Sequence, residues 1–324
     1  MSDKISTTIA SQLELPVISA PMFLVSSPEM VIAGCKAGII GSFPLANART
    51  TCDLDSWMTQ ITEELQEAKQ ENPKRKIAPW AVNLVVHRTN KRYEEDLKFI
   101  EKYQPPIVIT SLGDPSPVVR IVHRYGGLVF SDVVNLSHAR KAVEKGTDGL
   151  ILVCNGAGGH AGTLNPFAFI SAVKEFWNGI TILSGGISSG QEIAAAKLLG
   201  ADFVYMGTRF IAVQESLASD SYRQMLIESS LEDLIYTDAL SGIAANYLIP
   251  SIEIAGLDLQ KLIKKDSFDW SHYKGGNGPK PWKDIWSAGQ GVGAIKEVET
   301  VAEVVTKLKH EYQIATNKIN CGFS

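Results

Sequence analysis

The sequence contains no long hydrophobic run. Hydrophobic residues make up 45% of the 324 residues, but the longest apolar runs have the length of β-strands, well short of the ~20 residues that a membrane-spanning helix requires. The N-terminal sequence MSDKISTTIASQLELPV lacks the charged and apolar segments of a signal peptide. We therefore expect no membrane partner and a cytoplasmic location.

Cysteine is scarce, and the four cysteines, Cys35, Cys52, Cys154 and Cys321, show no CxxC spacing. This scatter argues against a zinc site or a disulfide framework, so we expect reduced thiols. Cys154 ends an apolar run, where it resembles a candidate nucleophile. We expect it instead to be a small buried residue.

Several motifs and one charge pattern are also missing. The formal net charge is -4 with interspersed signs, and the absence of a basic face argues against a nucleic-acid partner. There is no GxxxxGK[ST] phosphate loop, and no GxGxxG follows the first predicted strand, so a dinucleotide-binding Rossmann domain is not expected. No HExxH motif or His/Asp cluster predicts a catalytic metal.

What the chain does contain is a regular alternation of short apolar runs with amphipathic stretches of helical length, the pattern of repeated βα units. The predicted strands are Pro16–Ala20, Gly38–Phe43, Ala81–Val86, Ile107–Ser111, Gly127–Val133, Gly149–Cys154, Ile180–Ser184 and Phe203–Met206. The predicted helices between and after them are Ser27–Lys36, Asp55–Gln70, Lys91–Tyr103, Pro115–Tyr125, Ser137–Lys145, Pro166–Phe176, Ser189–Leu199 and Arg209–Leu217.

Eight such units predict an α/β fold, a (β/α)8 TIM barrel over residues 1–217. A doubly wound open sheet is the alternative, because strand order cannot be read from one sequence. After residue 217 the alternation stops, and residues 218–324 are predicted to form a C-terminal helical extension that caps the ligand-binding face. Its predicted helices are Tyr222–Ser230, Leu257–Lys265 and Val298–Tyr312, around a Gly-, Trp- and Lys-rich segment, Lys274–Gly293.

The stretch LILVCNGAGGHAG, residues 150–162, combines a buried strand with a glycine-rich loop. Gly158 and Gly159 allow a ligand to approach the backbone closely, and His160 adds a titratable group. In a barrel this loop lies at the carboxyl ends of the strands, where ligands bind. The alternative is a glycine-rich turn with a surface histidine.

Two further glycine motifs follow the seventh and eighth predicted strands. The first contains Gly185, Gly186 and Ile187, and the second contains Gly207 and Thr208 at the start of a predicted helix. Barrels often bind a phosphate between these two loops, through exposed backbone N–H groups and a helix start. We expect a phosphate cradle here, with simple turn chemistry as the alternative.

Three other strands carry unusual residues near their ends. The first ends in Ala20, Pro21 and Met22, where a core methionine is the alternative to a ligand contact. Asn83 is a lone amide in AVNLVV, suited to a ring edge of a flavin or nucleotide or to a neighbouring strand. Asp132 should meet a donor or lie at the wet end of its strand, because an unpaired buried carboxylate is costly.

Taken together, the motifs SAPM, GAGGHAG, LSGGIS, GADFVYMGTRF, YTDALSGIAANYL and DIWSAGQGVG resemble the nitronate monooxygenase family, formerly called 2-nitropropane dioxygenases. The resemblance runs in order from about Pro16 to the end of the chain. The family is a group of FMN-binding barrels. It includes NAD(P)H:quinone reductases and flavin-dependent enoyl-acyl-carrier-protein reductases.

The resemblance implies a role for each site residue. Ala20, Pro21 and Met22 would line the flavin ring, Asn83 would contact its polar edge, and Gln290 would close over the cofactor. The cofactor site would also include Asp132, Gly158, Gly159 and Ile187, with the phosphate held by Gly185, Gly186, Gly207 and Thr208, and His160 would be the catalytic histidine. Asp132 stands where many relatives carry a lysine, and residues 155–159 lack the acidic residue that many relatives have before the histidine.

The expected reaction is oxidation of alkyl nitronates, or nitroalkanes, by FMN and dioxygen to a carbonyl compound and nitrite. Neutral His160 would remove an α-proton, and protonated His160 would pair with the nitronate. The alternatives are an NAD(P)H-dependent reductase of a quinone or enoyl thioester, an IMP-dehydrogenase-like barrel, which would need a nucleophilic cysteine after strand six, and a non-catalytic flavin-binding protein. Tyr236, Tyr247 and Trp286 are expected to serve core packing rather than the substrate.

Overall fold

The computed structural model of the chain describes residues 9–262 and 279–321. Eight parallel strands form one sheet: β1 (Val17–Ser19), β2 (Gly41–Pro44), β3 (Trp80–Val85), β4 (Ile107–Ser111), β5 (Leu128–Val133), β6 (Gly149–Val153), β8 (Ile180–Ser184) and β9 (Phe203–Met206). Their order in the sheet is β1-β9-β8-β6-β5-β4-β3-β2, and β7 (Gly159–His160) belongs to a second, smaller sheet. All eight predicted strands are confirmed, with ends that differ by a few residues.

The sheet closes on itself between its first and last strands. Ile18 of β1 forms a parallel bridge with Ile40, just before β2. The backbone N–H of Ser19 donates to Ile40 O at 2.8 Å, and the N–H of Ile40 donates to Val17 O at 3.0 Å. The chain therefore forms a barrel, and the open doubly wound sheet is excluded.

Helices surround the barrel between its strands. They are α1 (Pro28–Ala37), α2 (Thr51–Glu71), α3 (Tyr93–Tyr103), α4 (Ser116–Arg124), α5 (Leu136–Glu144), α6 (Pro166–Lys174) and α7 (Gly190–Leu198). Several begin as their sequences predict. Ser27 caps α1 by accepting from the N–H of Met30, and Ser189 forms a capping box with Glu192 at α7.

The alternation of side chains along the strands creates two cores. Inward-facing residues such as Ile109, Phe130 and Ile151 fill the barrel. Their outward-facing neighbours, such as Val108 and Val129, pack under the surrounding helices. Because side chains alternate with a period of two, the next inward layer falls at the carboxyl ends of the strands, where Asp132 follows Phe130 by two residues.

The predicted helix Arg209–Leu217 is wrong. A single 3₁₀ turn, Thr208–Phe210, follows β9, and the chain continues in turns, with Val213 in a parallel bridge to Glu299. Ile211, Ala212 and Val213 are all buried, which an amphipathic surface helix with one solvent-facing side would not allow.

The last helix, α10 (Val301–Cys321), packs against both α1 and α7. It therefore completes the ring of helices at the place that the missing helix after β9 leaves open. Val301, Val304, Val305 and Leu308 are buried in the same core as the barrel helices, and this spacing is that of one helix face. The prediction Val298–Tyr312 is thus confirmed in position, and the helix extends further than predicted.

The chain between β9 and α10 is not purely helical. It contains α8 (Asp220–Glu228), α9 (Ile249–Ile254) and a small antiparallel sheet, in which β11 (Ala245–Leu248) lies between β10 (Leu234–Thr237) and the two-residue strand β7 (Gly159–His160). The predicted helix Leu257–Lys265 shows a 3₁₀ turn at Leu259–Lys261, and its remainder from residue 263 lies outside the described residues. Within residues 9–262 and 279–321, no helix is both long and apolar enough to cross a membrane.

Candidate active site

A cavity of about 1240 Å³ opens at the carboxyl ends of the barrel strands. This is the end at which (β/α)8 barrels bind their ligands. The cavity brings together nearly all of the residues that the sequence singled out. It is lined by Ala20, Pro21, Met22, Asn83, Asp132, Gly158, Gly159, His160, Gly185, Gly186, Ile187, Gly207 and Thr208.

The floor of the cavity is polar at Asn83. Its amide Nδ2 donates to Ser111 Oγ at 3.1 Å and to Ile109 O at 3.3 Å, both on β4. Asn83 also lines the cavity, so the amide bonds to a neighbouring strand and presents polar surface to a ligand at the same time. The expected bond to a neighbouring strand is therefore confirmed, and the contact to a ligand ring stays a prediction.

Asp132 is the second polar group of the floor. Burial raises the pKa of its carboxyl group to about 7, because a charged carboxylate is poorly solvated there. Among the described residues, its buried Oδ1 has no hydrogen-bond partner. Burial and the nearby Asp132 charge also raise the pKa of Tyr205, which lines the same floor. The position thus offers an oxygen atom that a bound ligand can satisfy.

The two glycine loops after β8 and β9 lie on one side of the cavity. Gly185 and Gly186 adopt φ values of 119° and 69°, which side chains rarely tolerate. A Cβ on Gly185 would lie 2.7 Å from Asn155 O, whereas a Cβ on Gly186 would meet nothing within 4 Å. Gly186 therefore leaves its backbone open toward the cavity, as a cradle for an anionic group requires.

A segment from the C-terminal part of the chain, residues 287–290, is tied to these loops. The N–H of Gly159 donates to Ser287 Oγ at 2.6 Å, and that of Gly289 donates to Thr208 Oγ1 at 2.8 Å. The N–H of Gln290 donates to Gly156 O at 2.8 Å. These bonds fix the histidine loop against the cradle.

Gln290 is the one predicted site residue that the structure does not place on the cavity wall. Its side chain is exposed, and its Oε1 atom lies beside Gly156, where a Cβ would come within 2.7 Å of it. The neighbouring Gly289 and Gly291 line the cavity instead. Residue 290 therefore contributes to the site through its backbone N–H, which bonds to Gly156 O.

His160 is held by the small antiparallel sheet. It pairs with Ala245 of β11, and Gly159 pairs with Asn246, whose side-chain amide donates to Ala157 O at 2.7 Å. Burial lowers the pKa of the imidazole to about 4, so the ring is neutral at pH 7. A neutral imidazole on a cavity wall can accept a proton from a bound substrate.

The aromatic residues of the C-terminal part match the expectations from the sequence only in part. Trp282, which the sequence did not single out, lines the cavity and meets the His160 ring edge to face, with 5.0 Å between ring centroids. Trp286 stacks on Tyr222 at 4.9 Å. Tyr247 is fully buried and donates to Ser241 Oγ, so the core role expected of it is confirmed. Tyr236 is exposed and donates to Ala161 O, so the core role expected of it is wrong.

Cys154 is fully buried, and burial raises the pKa of its thiol to about 12. The thiol is therefore protonated at pH 7, and Cys154 is not among the residues that line the cavity, which argues against a nucleophile of the IMP-dehydrogenase kind. In the part of the chain that the structure describes, no group of three or more His, Cys, Asp or Glu side chains is arranged to hold a metal ion.

Comparisons with known proteins agree with this geometry. The family model described as nitronate monooxygenase matches residues 6–311. The chain is 28% identical over 294 residues to a nitronate monooxygenase of Paraburkholderia phytofirmans, a match that covers 76% of each chain.

Two solved structures share the fold. A nitroalkane oxidase from Streptomyces ansochromogenes superposes with a TM-score of 0.76 at 20% identity, covering 96% of this chain and 99% of that one. A mutant of FabK from Thermotoga maritima gives a TM-score of 0.75 at 23% identity, covering 98% and 99%. At these identities the two structures support the barrel fold alone. The family match across almost the whole sequence settles the classification: the chain belongs to the nitronate monooxygenase family of flavin-dependent oxidoreductases.

Proposed function

We propose that the chain binds FMN in this cavity and oxidises alkyl nitronates, and nitroalkanes after their deprotonation, with dioxygen as oxidant. The products would be a carbonyl compound and nitrite. The observation that carries the proposal is a neutral, mostly buried imidazole, His160, on the wall of the cavity that also contains the glycine cradle after β8 and β9. The family supports a reaction of this class.

The residues present fit a flavin with one phosphate. Gly185, Gly186 and Ile187, together with Gly207 and Thr208, would hold the phosphate through backbone N–H groups. The helix start predicted at Arg209 is replaced by a 3₁₀ turn, so the cradle depends on the loops rather than on a helix dipole. The remaining contacts to the cofactor would come from Ala20, Pro21, Met22, Asn83, Asp132, Gly158 and Gly159.

The orphaned oxygen of Asp132 supports the fit. A buried carboxyl oxygen without a partner is costly, and the flavin ring system carries both donor and acceptor atoms. A protonated Asp132 can donate to an acceptor, and an ionised one can accept from a donor. In either state, a ligand over the floor of the barrel would satisfy the group that the protein alone leaves unsatisfied.

His160 would act on the substrate. Bound FMN would supply the electron-accepting group and pass the electrons on to dioxygen. The neutral imidazole would accept the α-proton of a nitroalkane, which leaves the nitronate beside a newly charged imidazolium, and a nitronate substrate would accept a hydrogen bond from the ring. Since burial disfavours the free imidazolium, the protonated state is expected only when the substrate anion lies next to it.

The C-terminal part would complete the site. We infer that residues 218–324 act as a cap, because the bonds from Ser287, Gly289 and Gln290 join this part to the histidine loop and the cradle. The hydroxyl of Ser287 also donates to Asn246 O and so links β7 to β11. Loss of the cap would therefore release His160 as well as the cofactor.

Replacement of His160 tests the proposal directly. His160→Asn keeps a polar side chain of similar reach, so we expect FMN to remain bound, as judged by the flavin spectrum after gel filtration. Turnover of an alkyl nitronate should fall by roughly 10²–10⁴-fold, the usual contribution of one general base. Turnover close to that of the wild-type protein would contradict the role of His160.

One observation favours a second function, reduction of a quinone or enoyl thioester by NADH or NADPH. Exposed cationic side chains, Arg49, Lys91 and Lys141, line the outer part of the cavity. Nicotinamide dinucleotides and acyl carriers bear phosphate groups, which such cations would attract. Reduction of the flavin by NADH or NADPH under anaerobic conditions would favour this function over the first.

A further inference from the structure

Trp282 forms the side of the cavity next to His160. The two rings meet at 82°, with 5.0 Å between their centroids. Trp282 also packs against Tyr247, with the ring centroids 5.9 Å apart. Tyr247 is completely buried, so the partly buried indole packs against fixed structure on that side.

The backbone of Trp282 adopts an unfavourable conformation. Trp282 has a φ of 62°, a left-handed value that bulky side chains rarely adopt. A short turn holds it there: the N–H of Trp282 donates to Ile285 O at 2.7 Å, and Pro281 pairs with Ile285 in a parallel bridge. Ile285 is fully buried and anchors the turn. Strained residues of this kind cluster where a site requires a side chain in one place.

We propose that Trp282 is a specificity-determining residue: its indole is the wall against which the alkyl chain of the nitronate lies, and it limits the length of that chain. This inference rests on the proposed function. The reacting carbon of the substrate must reach His160, and the indole is in ring contact with His160. A substituent that extends from the reacting carbon past the imidazole therefore meets an aromatic surface that packs against the buried ring of Tyr247.

The experiment compares short and long substrates in the same protein. The ratio of kcat/KM for hexyl nitronate to that for ethyl nitronate would be measured in the wild-type holoenzyme, Trp282→Ala and Trp282→Phe. We expect this ratio to rise about tenfold or more in Trp282→Ala, the scale on which a hydrophobic pocket discriminates by methylene groups. Trp282→Phe should lie closer to the wild-type value. Because the ratio is taken within one preparation, partial unfolding does not change it.

Trp286→Ala is the matched control. Trp286 belongs to the same segment but stacks on Tyr222 and does not line the cavity. We expect its ratio to equal that of the wild-type protein. An unchanged ratio in Trp282→Ala, or an equal rise in Trp286→Ala, would overturn the assignment of Trp282.

A binding measurement separates this inference from the proposed function. Carboxylates have the planar anionic group of a nitronate but are not oxidised by the flavin, so propanoate and heptanoate can be titrated while the flavin absorbance is followed. The ratio of the Kd for propanoate to the Kd for heptanoate should be about tenfold larger in Trp282→Ala than in the wild-type protein. If the wild-type protein oxidises no nitronate, the proposed function fails, and the carboxylate titration still decides whether Trp282 limits chain length.

Discussion

Replacing the Asp132 carboxyl group by an amide should stabilise the flavin-free protein, and more so at alkaline pH. The pKa of the carboxyl group is raised from its ordinary 3.8 to about 7 in the folded protein. The unfolded chain therefore loses this proton at lower pH than the folded chain does. The contribution of Asp132 to the free energy of unfolding therefore falls as the pH rises from about 4 to about 7 and then levels off, because the folded state must either keep the proton or bury a charge.

The magnitude follows from the size of the shift. One pKa unit corresponds to about 1.4 kcal/mol, so ionisation of Asp132 should lower the free energy of unfolding by about 2–3 kcal/mol between pH 5 and pH 8. Asp132→Asn removes this contribution while it preserves the size of the side chain. The difference in unfolding free energy between Asp132→Asn and the wild-type protein should therefore grow by about 2–3 kcal/mol over the same interval.

Chemical denaturation of the flavin-free proteins at pH 5 and pH 8 measures this difference. Glu63→Gln is the control, because Glu63 is exposed on α2 and surface substitutions usually change stability by less than about 0.5 kcal/mol. A difference for Asp132→Asn that is the same at both pH values, or that becomes less favourable at pH 8, would refute the account of Asp132 as a buried, unsatisfied acid.

Two further pairs of variants test a buried ion pair and a close backbone approach. Glu299→Gln removes the negative charge that pairs with the buried Arg209, 2.6 Å away, and should lower the unfolding free energy by about 3–5 kcal/mol. Arg209→Met should cost less, because Glu299 keeps Lys307 at 2.7 Å, so equal losses in denaturation would contradict the pairing. Gly289→Ala places a Cβ 2.7 Å from Gly156 O and 2.9 Å from Gly158 N, so we expect weaker FMN binding in a fluorescence titration and a loss of about 1–3 kcal/mol. Gly293→Ala, where nothing lies within 4 Å, is the control, and equal behaviour of the two alanine variants would argue against the close approach.

The barrel was predictable because its strands carry local signals. Runs such as Ile107–Ser111 and Ile180–Ser184 are apolar and β-branched, and the structure places strands at exactly those residues in both cases. The same holds for most of the cavity. Its glycine motifs follow directly after strands, and a parallel barrel brings all such loops to one end.

The remaining features depend on contacts between distant parts of the chain. Nothing in the dipeptide Gly159–His160 predicts a strand, because the strand forms only by pairing with Ala245 and Asn246. The helix predicted at Arg209–Leu217 is absent, and Val213 instead pairs with Glu299, which lies far along the chain. Trp282 was missed for a similar reason: its place beside His160 comes from the turn at Pro281–Ile285, not from a motif in its own sequence.

The central claim is that the cavity oxidises nitronates with a bound flavin, and anaerobic flavin reduction tests it most directly. The purified yellow protein would be mixed with an alkyl nitronate, and separately with NADH and with NADPH, while the flavin absorbance is followed. We predict fast bleaching by the nitronate, almost none by either nicotinamide, and loss of the nitronate reaction in His160→Asn. Fast bleaching by NADH or NADPH with none by the nitronate would contradict the claim and assign the chain to the reductases of the same fold.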